Sequence, residues 1–176
     1  MRARPGDGEP EICVLLLPEA LERFARRSQA DDLLRAQGVV AVDPPRLSYA
    51  ALGRLPEVVG DVLAARQARR LVRTLRRHRG RPRAVVLFDP RQYALARAVV
   101  AEVGEPSELW YWRAEDDDPR ADPRAAELDA LAARRAARIF AVPPPASDAG
   151  ARAIRALDDP VWQALAEAGV DVRVTR

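Results

Sequence analysis

A chain of 176 residues is long enough for one ordinary domain with a real core, and no apolar run approaches the roughly 20 residues of a membrane span. Its net charge is +3, and all 29 residues counted as Lys+Arg are Arg, which excludes Schiff-base chemistry and a P-loop lysine. One cysteine excludes an internal disulfide and fits a reducing cytoplasm, where we place the chain.

Residues 1–10 are polar and contain Gly and Pro, and the apolar run 13–17 is too short for a signal-peptide core. They read as a flexible N-terminal tail ahead of a single domain over 11–176. Residues 11–17 form a first strand ended by Pro18. Leu21, Phe24, Ala25, Leu33 and Leu34 mark an amphipathic helical segment, broken near Ser28 and capped by Gly38. A short second strand, 39–42, ends at Asp43, and residues 46–54 are a connector. Pro56 and Glu57 open a long helix to about His78, closed by Gly80 and Pro82. Val58, Val62, Ala64, Ala68, Leu71, Val72 and Leu75 are expected on its buried side.

Residues 84–112 carry the strongest pattern. The run 84–88 is apolar and β-rich, Asp89-Pro90 punctuates it, and Ala94, Leu95, Ala98, Val99 and Ala101 recur at helical spacing. Gly104 and Pro106 stop that helix, and an aromatic strand follows to Trp112, making a βαβ unit. Residues 115–123 form an acidic, proline-bounded loop; 125–137 are helical; 138–142 are a fifth strand. Two short helices, 148–157 and 160–168, precede a sixth strand at 170–174. About six mostly parallel strands alternating with helices on both faces give an α/β, doubly wound, Rossmann-like sheet.

The usual nucleotide fingerprints are missing. Neither G-x-G-x-x-G nor G-x-x-x-x-G-K-[ST] occurs, so a dinucleotide has no close backbone approach after the first strand. His78 sits among Arg76, Arg77 and Arg79 and reads as a solvated helix end, while Cys13 reads as a small buried hydrophobe. No cofactor and no metal are assigned. Two clusters remain. Glu115, Asp116, Asp117 and Asp118, with Asp122 nearby, follow a strand at the ligand-binding edge; they either supply a base or hold a divalent cation, or are a solvated loop. Arg66, Arg69, Arg70, Arg73, Arg76 and Arg77 share one helix face with no acid between Val62 and Arg83. That face is either solvated or holds an anionic partner: acidic lipid, protein or RNA. Nucleic acid is the weaker fit, because Trp110, Tyr111 and Trp112 are not interleaved with the arginines.

Several segments are similar to the acceptor-binding, N-terminal half of bacterial glycosyltransferases built from two Rossmann-like domains (the GT-B type). Phe24-Ala-Arg-Arg27 followed by Val39-Val-Ala-Val42-Asp-Pro-Pro45 resembles their opening. Ala84-Val-Val-Leu-Phe-Asp-Pro90, Glu108-Leu-Trp-Tyr-Trp-Arg-Ala-Glu-Asp-Asp117 and Ala136-Ala-Arg-Ile-Phe-Ala-Val142 resemble their third, fourth and fifth strands. The resemblance implies an acceptor-binding domain lacking the sugar-nucleotide half, completed by a donor-binding partner and inactive alone. Sugar would pass from a nucleotide donor to a hydroxyl. Arg46, Arg91 and Arg113 would hold an anionic acceptor, Asp89, Asp116 and Asp117 would orient its hydroxyl, and Asp116 or Asp117 is the nearest match to the catalytic base. The alternative is a non-catalytic Rossmann-like module that binds an anionic partner through the arginine face.

Overall fold

The computed structural model describes residues 9–17, 34–43, 51, 55–113, 122–141, 153–155, 160–170 and 173–174. Its strands are β1 (Glu11–Leu16), β2 (Ala36–Gln37), β3 (Val39–Val42), β4 (Arg81–Leu87), β5 (Glu108–Arg113), β6 (Arg138–Ala141), β7 (Ala153–Arg155) and β8 (Arg173–Val174). The helices are α1 (Glu57–His78), α2 (Tyr93–Val103), α3 (Pro123–Arg135) and α4 (Pro160–Glu167). Six strands form one sheet in the order β3-β1-β4-β5-β6-β7, and every neighbouring pair is parallel. The fold is therefore α/β and doubly wound, with its direction reversing between β1 and β4.

Alternation along the strands builds two cores. Ile12, Val14, Leu16, Val85, Leu87, Leu109 and Tyr111 face α1, α2 and α3. Cys13, Leu15, Ala84, Val86, Phe88, Trp110, Trp112 and Phe140 face the opposite side, where Ala164 and Leu165 of α4 join them. Strand residues one apart point to opposite faces, so these unbroken apolar strands need cover on both. The second core is aromatic: Phe88 stacks on Trp112 at 5.6 Å, and Phe140 lies 5.7 Å from Trp110 and 5.8 Å from Trp112. Each such pair contributes about 1 kcal/mol beyond its buried area.

Four expectations are corrected. The segment 148–157, expected as helix, instead carries β7, which takes the sixth place in the sheet. The expected sixth strand at 170–174 supplies only β8, antiparallel to β2 and outside the sheet. Pro82 does not end a helix but lies inside β4, opposite Ile12, where the register shifts between Ile12 and Cys13. A proline lacks the ladder N–H, and that irregularity accommodates it. Val58 and Val62 are 76% and 63% exposed, not buried. The buried side of α1 is Ala64, Ala68, Val72 and Leu75, and helical phase turns the two valines away from it.

Gly80 sets the turn into β4. Its φ is +139°, its N–H donates to Leu75 O at 2.8 Å, and a Cβ there would lie 2.2 Å from Pro10 O. The same Pro10 carbonyl accepts from Arg81 N at 2.8 Å, which starts the β1–β4 pairing. No helix among the described residues is long and apolar enough to cross a membrane. Residues 1–8 of the expected tail and most of the first amphipathic segment lie outside the described residues, within which Pro10 is tied to β4 and Leu34 and Arg35 are helical.

Candidate functional site

Open parallel sheets place ligands outside their carboxyl edge where strand order reverses, here between β1 and β4. The chain leaves β4 through Asp89-Pro90-Arg91-Gln92. Proline presets the backbone at the first position of the 3-10 turn Pro90–Gln92, and Asp89 caps it, accepting from Arg91 N at 2.8 Å. The turn aims Gln92 inward, where it is completely buried. Its Oε1 accepts from Phe88 N (2.8 Å) and Asp89 N (3.1 Å), and its Nε2 donates to Leu16 O (3.0 Å) and Leu17 O (3.1 Å). One side-chain amide thus fills the gap between the ends of β1 and β4 and engages four backbone groups. A phosphate at this point would have to displace it, which agrees with the missing Gly-rich turn.

Asp89 and Arg91 are partners of each other. Arg91 Nε donates to Asp89 Oδ1 at 3.1 Å, and the same oxygen accepts the capping bond. The Asp89 carboxylate is committed to shaping the turn, whereas Arg91, with its side chain 39% exposed, keeps further N–H groups for a ligand. At the end of β5, Arg113 Nη2 donates to Asp129 Oδ2 at 2.7 Å, and buried Tyr111 donates its hydroxyl to Asp129 Oδ1 at 2.6 Å. Asp129 of α3 therefore orients Arg113. Asp122, expected in the acidic cluster, is the α3 N-cap, accepting from Arg124 N and Ala125 N at 3.1 Å each. Arg46, Asp116 and Asp117, with Glu115 and Asp118, lie outside the described residues.

Beside this edge, a cleft of about 560 Å³ runs between the start of α1, α2 and α3. Arg91, Arg97, Arg124 and Arg135 line it, along with Tyr93, Leu128 and Leu131. Of these, sequence reasoning had singled out Arg91 alone. The others sit at ordinary helix positions, and no spacing rule announces that two helices converge there.

The six arginines of α1, Arg66, Arg69, Arg70, Arg73, Arg76 and Arg77, are all exposed on one face. Arg69 meets Glu102 at 3.5 Å, and the other five make no ion pair among the described residues. Val59, 46% exposed, joins Val58 and Val62 toward the start of this same face. His78 is exposed. Trp110, Tyr111 and Trp112 are all buried, so they offer no stacking surface for bases. Burial pushes the Cys13 thiol up to about 12, which leaves it without thiolate character at neutral pH. Comparison with protein-family models, with curated proteins and with solved structures found no match to this chain.

Proposed function

We propose that this chain is a glycosyltransferase-like acceptor-binding domain, working with a donor-binding half supplied by another polypeptide. The observation that carries the reading is the division of the carboxyl edge. Arg91 follows β4 at the reversal point and Arg113 ends the next strand, β5, each held by a carboxylate, while Gln92 fills the gap between the ends of β1 and β4. Such an edge suits an anionic acceptor better than a nucleotide donor. In this reading Arg46, Arg91 and Arg113 hold the acceptor's anionic group. Asp116 or Asp117 takes the hydroxyl proton as its oxygen attacks the sugar carbon and the nucleoside diphosphate leaves. Asp89 contributes by holding Arg91. The setting is cytoplasmic, where nucleotide sugars are made and a lone buried thiol stays reduced. Incubating the purified chain with a panel of nucleotide sugars and acceptors tests the half-enzyme idea. No turnover is expected, and turnover by the chain alone overturns it.

A second reading rests on a different observation, the five α1 arginines without an ion pair among the described residues. It makes the domain a non-catalytic module that docks an anionic partner on α1. Binding to heparin or acidic vesicles would then fall steeply with salt as counterions are displaced. Replacing Arg69, Arg73 and Arg76 together by Ala would flatten that dependence. Undetectable binding at low salt rejects this reading.

A further inference from the structure

The cleft between α2 and α3 has no part in either reading, apart from Arg91 on its wall. Its charge is lopsided. Four guanidinium groups line about 560 Å³, with Asp61 the one carboxylate among the lining residues. Arg97 pairs with Asp61 at 2.7 Å, Arg124 with Glu127 at 2.7 Å, and Arg91 with Asp89 at 3.1 Å. Arg135, exposed in the last turn of α3, makes no ion pair among the described residues. A guanidinium carries five N–H donors, and the Arg124 and Arg91 pairs each engage few of them. With three of the four paired, the positive excess at the cleft is that of Arg135, and an incoming anion would compensate it while taking up the remaining N–H donors.

The rest of the lining is apolar. Leu109 and Leu128 are buried, Leu131 is left 40% exposed, and the Tyr93 ring lies 5.9 Å beneath the Arg97 guanidinium. Gly60 adds no side chain to the α1 wall, where Asp61 is the lining side chain. The volume falls within the range of small-molecule pockets, roughly 300–1,000 Å³. An apolar floor under a positive excess selects against free inorganic ions and against neutral apolar molecules alike.

We infer that the cleft between α2 and α3 binds a small organic oxyanion, a phosphate or carboxylate carried on a compact aromatic or aliphatic body. Sugar transfer is not a premise, since occupancy needs neither donor nor base. Arg135 and Leu131, which the acceptor reading does not use, provide the test.

Calorimetric titrations of the full chain with phenyl phosphate, benzoate, inorganic phosphate and phenol separate the contributions. Phenyl phosphate or benzoate is expected to bind at least about tenfold more tightly than inorganic phosphate or phenol; the tighter of the two identifies the anion. Arg135→Ala should weaken the preferred probe about tenfold or more, the effect of losing one hydrogen bond to a charged group. Leu131→Ser should weaken it while leaving inorganic phosphate unchanged. Arg134→Ala, next to the cleft in sequence but not lining it, should have no effect. Absence of saturable binding for both organic anions overturns the inference. So does an equal loss in the Arg134 and Arg135 variants, or binding unchanged by both Arg135→Ala and Leu131→Ser.

Discussion

Replacing Gln92 by Leu tests whether one amide closes the sheet's reversal point. The substitution nearly conserves volume but removes partners from Phe88 N, Asp89 N, Leu16 O and Leu17 O. The bonds to Phe88 N and Leu16 O are buried; those to Asp89 N and Leu17 O are partly solvated. Losing a hydrogen bond to a buried group costs about 1–2 kcal/mol and to a partly solvated one about half that, so the expected loss is about 3 kcal/mol after the apolar gain of leucine. That is between about a fifth and three-fifths of the roughly 5–15 kcal/mol that holds an ordinary domain folded. Urea unfolding followed by far-UV circular dichroism reads it as a lower midpoint at unchanged slope. Gln92→Glu adds a second reading. It keeps acceptors for the two N–H groups but turns a carboxylate toward two carbonyls in a buried site, which raises its folded-state pKa. The folded variant then holds a proton that the unfolded chain has released. Its stability is therefore greatest below the ordinary Glu value and is lost as pH rises through the folded value. A loss below about 1 kcal/mol for Gln92→Leu, with no pH dependence in Gln92→Glu, would refute this reasoning.

Three further outcomes follow from the same geometry. Because the folded-state pKa of Cys13 is raised from 9.0 to about 12, the chain should be fully stabilised below pH 9 and lose stability as pH climbs toward 12. Cys13→Ala should flatten that decline, and native protein should resist Ellman's reagent until unfolded. Gly80→Ala should cost at least about 2 kcal/mol in urea unfolding, since the φ is unfavourable for alanine and the new Cβ meets Pro10 O. Val58→Ser and Val62→Ser should each change stability by less than about 0.5 kcal/mol, as exposed positions do, whereas Val72→Ser should cost several times more.

The strands of the sheet's centre were legible because each is a short apolar run between turn residues, and such runs need two covered faces. The error at α1 has a specific cause. Val58 and Val62 are apolar and spaced four apart, so hydrophobicity alone counted them as core. Their phase instead matches Arg66 and Arg73, on the side away from Ala64 and Ala68. β7 was hidden because Ala153–Arg155 is too short to show a period of two, and its pairing with β6 is a long-range contact. At the candidate site, Asp89 and Arg91 were visible at a strand end. Gln92 could have been found as well, since Asp followed three residues later by Gln is a capping-box pattern. Asp122 followed by Pro123 was likewise a helix start rather than part of an acidic cluster. Asp129 could not have been found, because its meeting with Arg113 and Tyr111 depends on how α3 packs against β5.

The central claim is that the carboxyl edge receives an anionic acceptor and leaves the nucleotide sugar to another half. Titrating the chain with phosphorylated and carboxylated hydroxy compounds, and separately with a panel of nucleotide sugars, tests it directly. The account predicts saturable binding of at least one anionic hydroxy compound, weakened about tenfold by Arg91→Ala and by Arg113→Ala, and none for the nucleotide sugars. Saturable binding of a nucleotide sugar, with no anionic hydroxy compound bound, would contradict it.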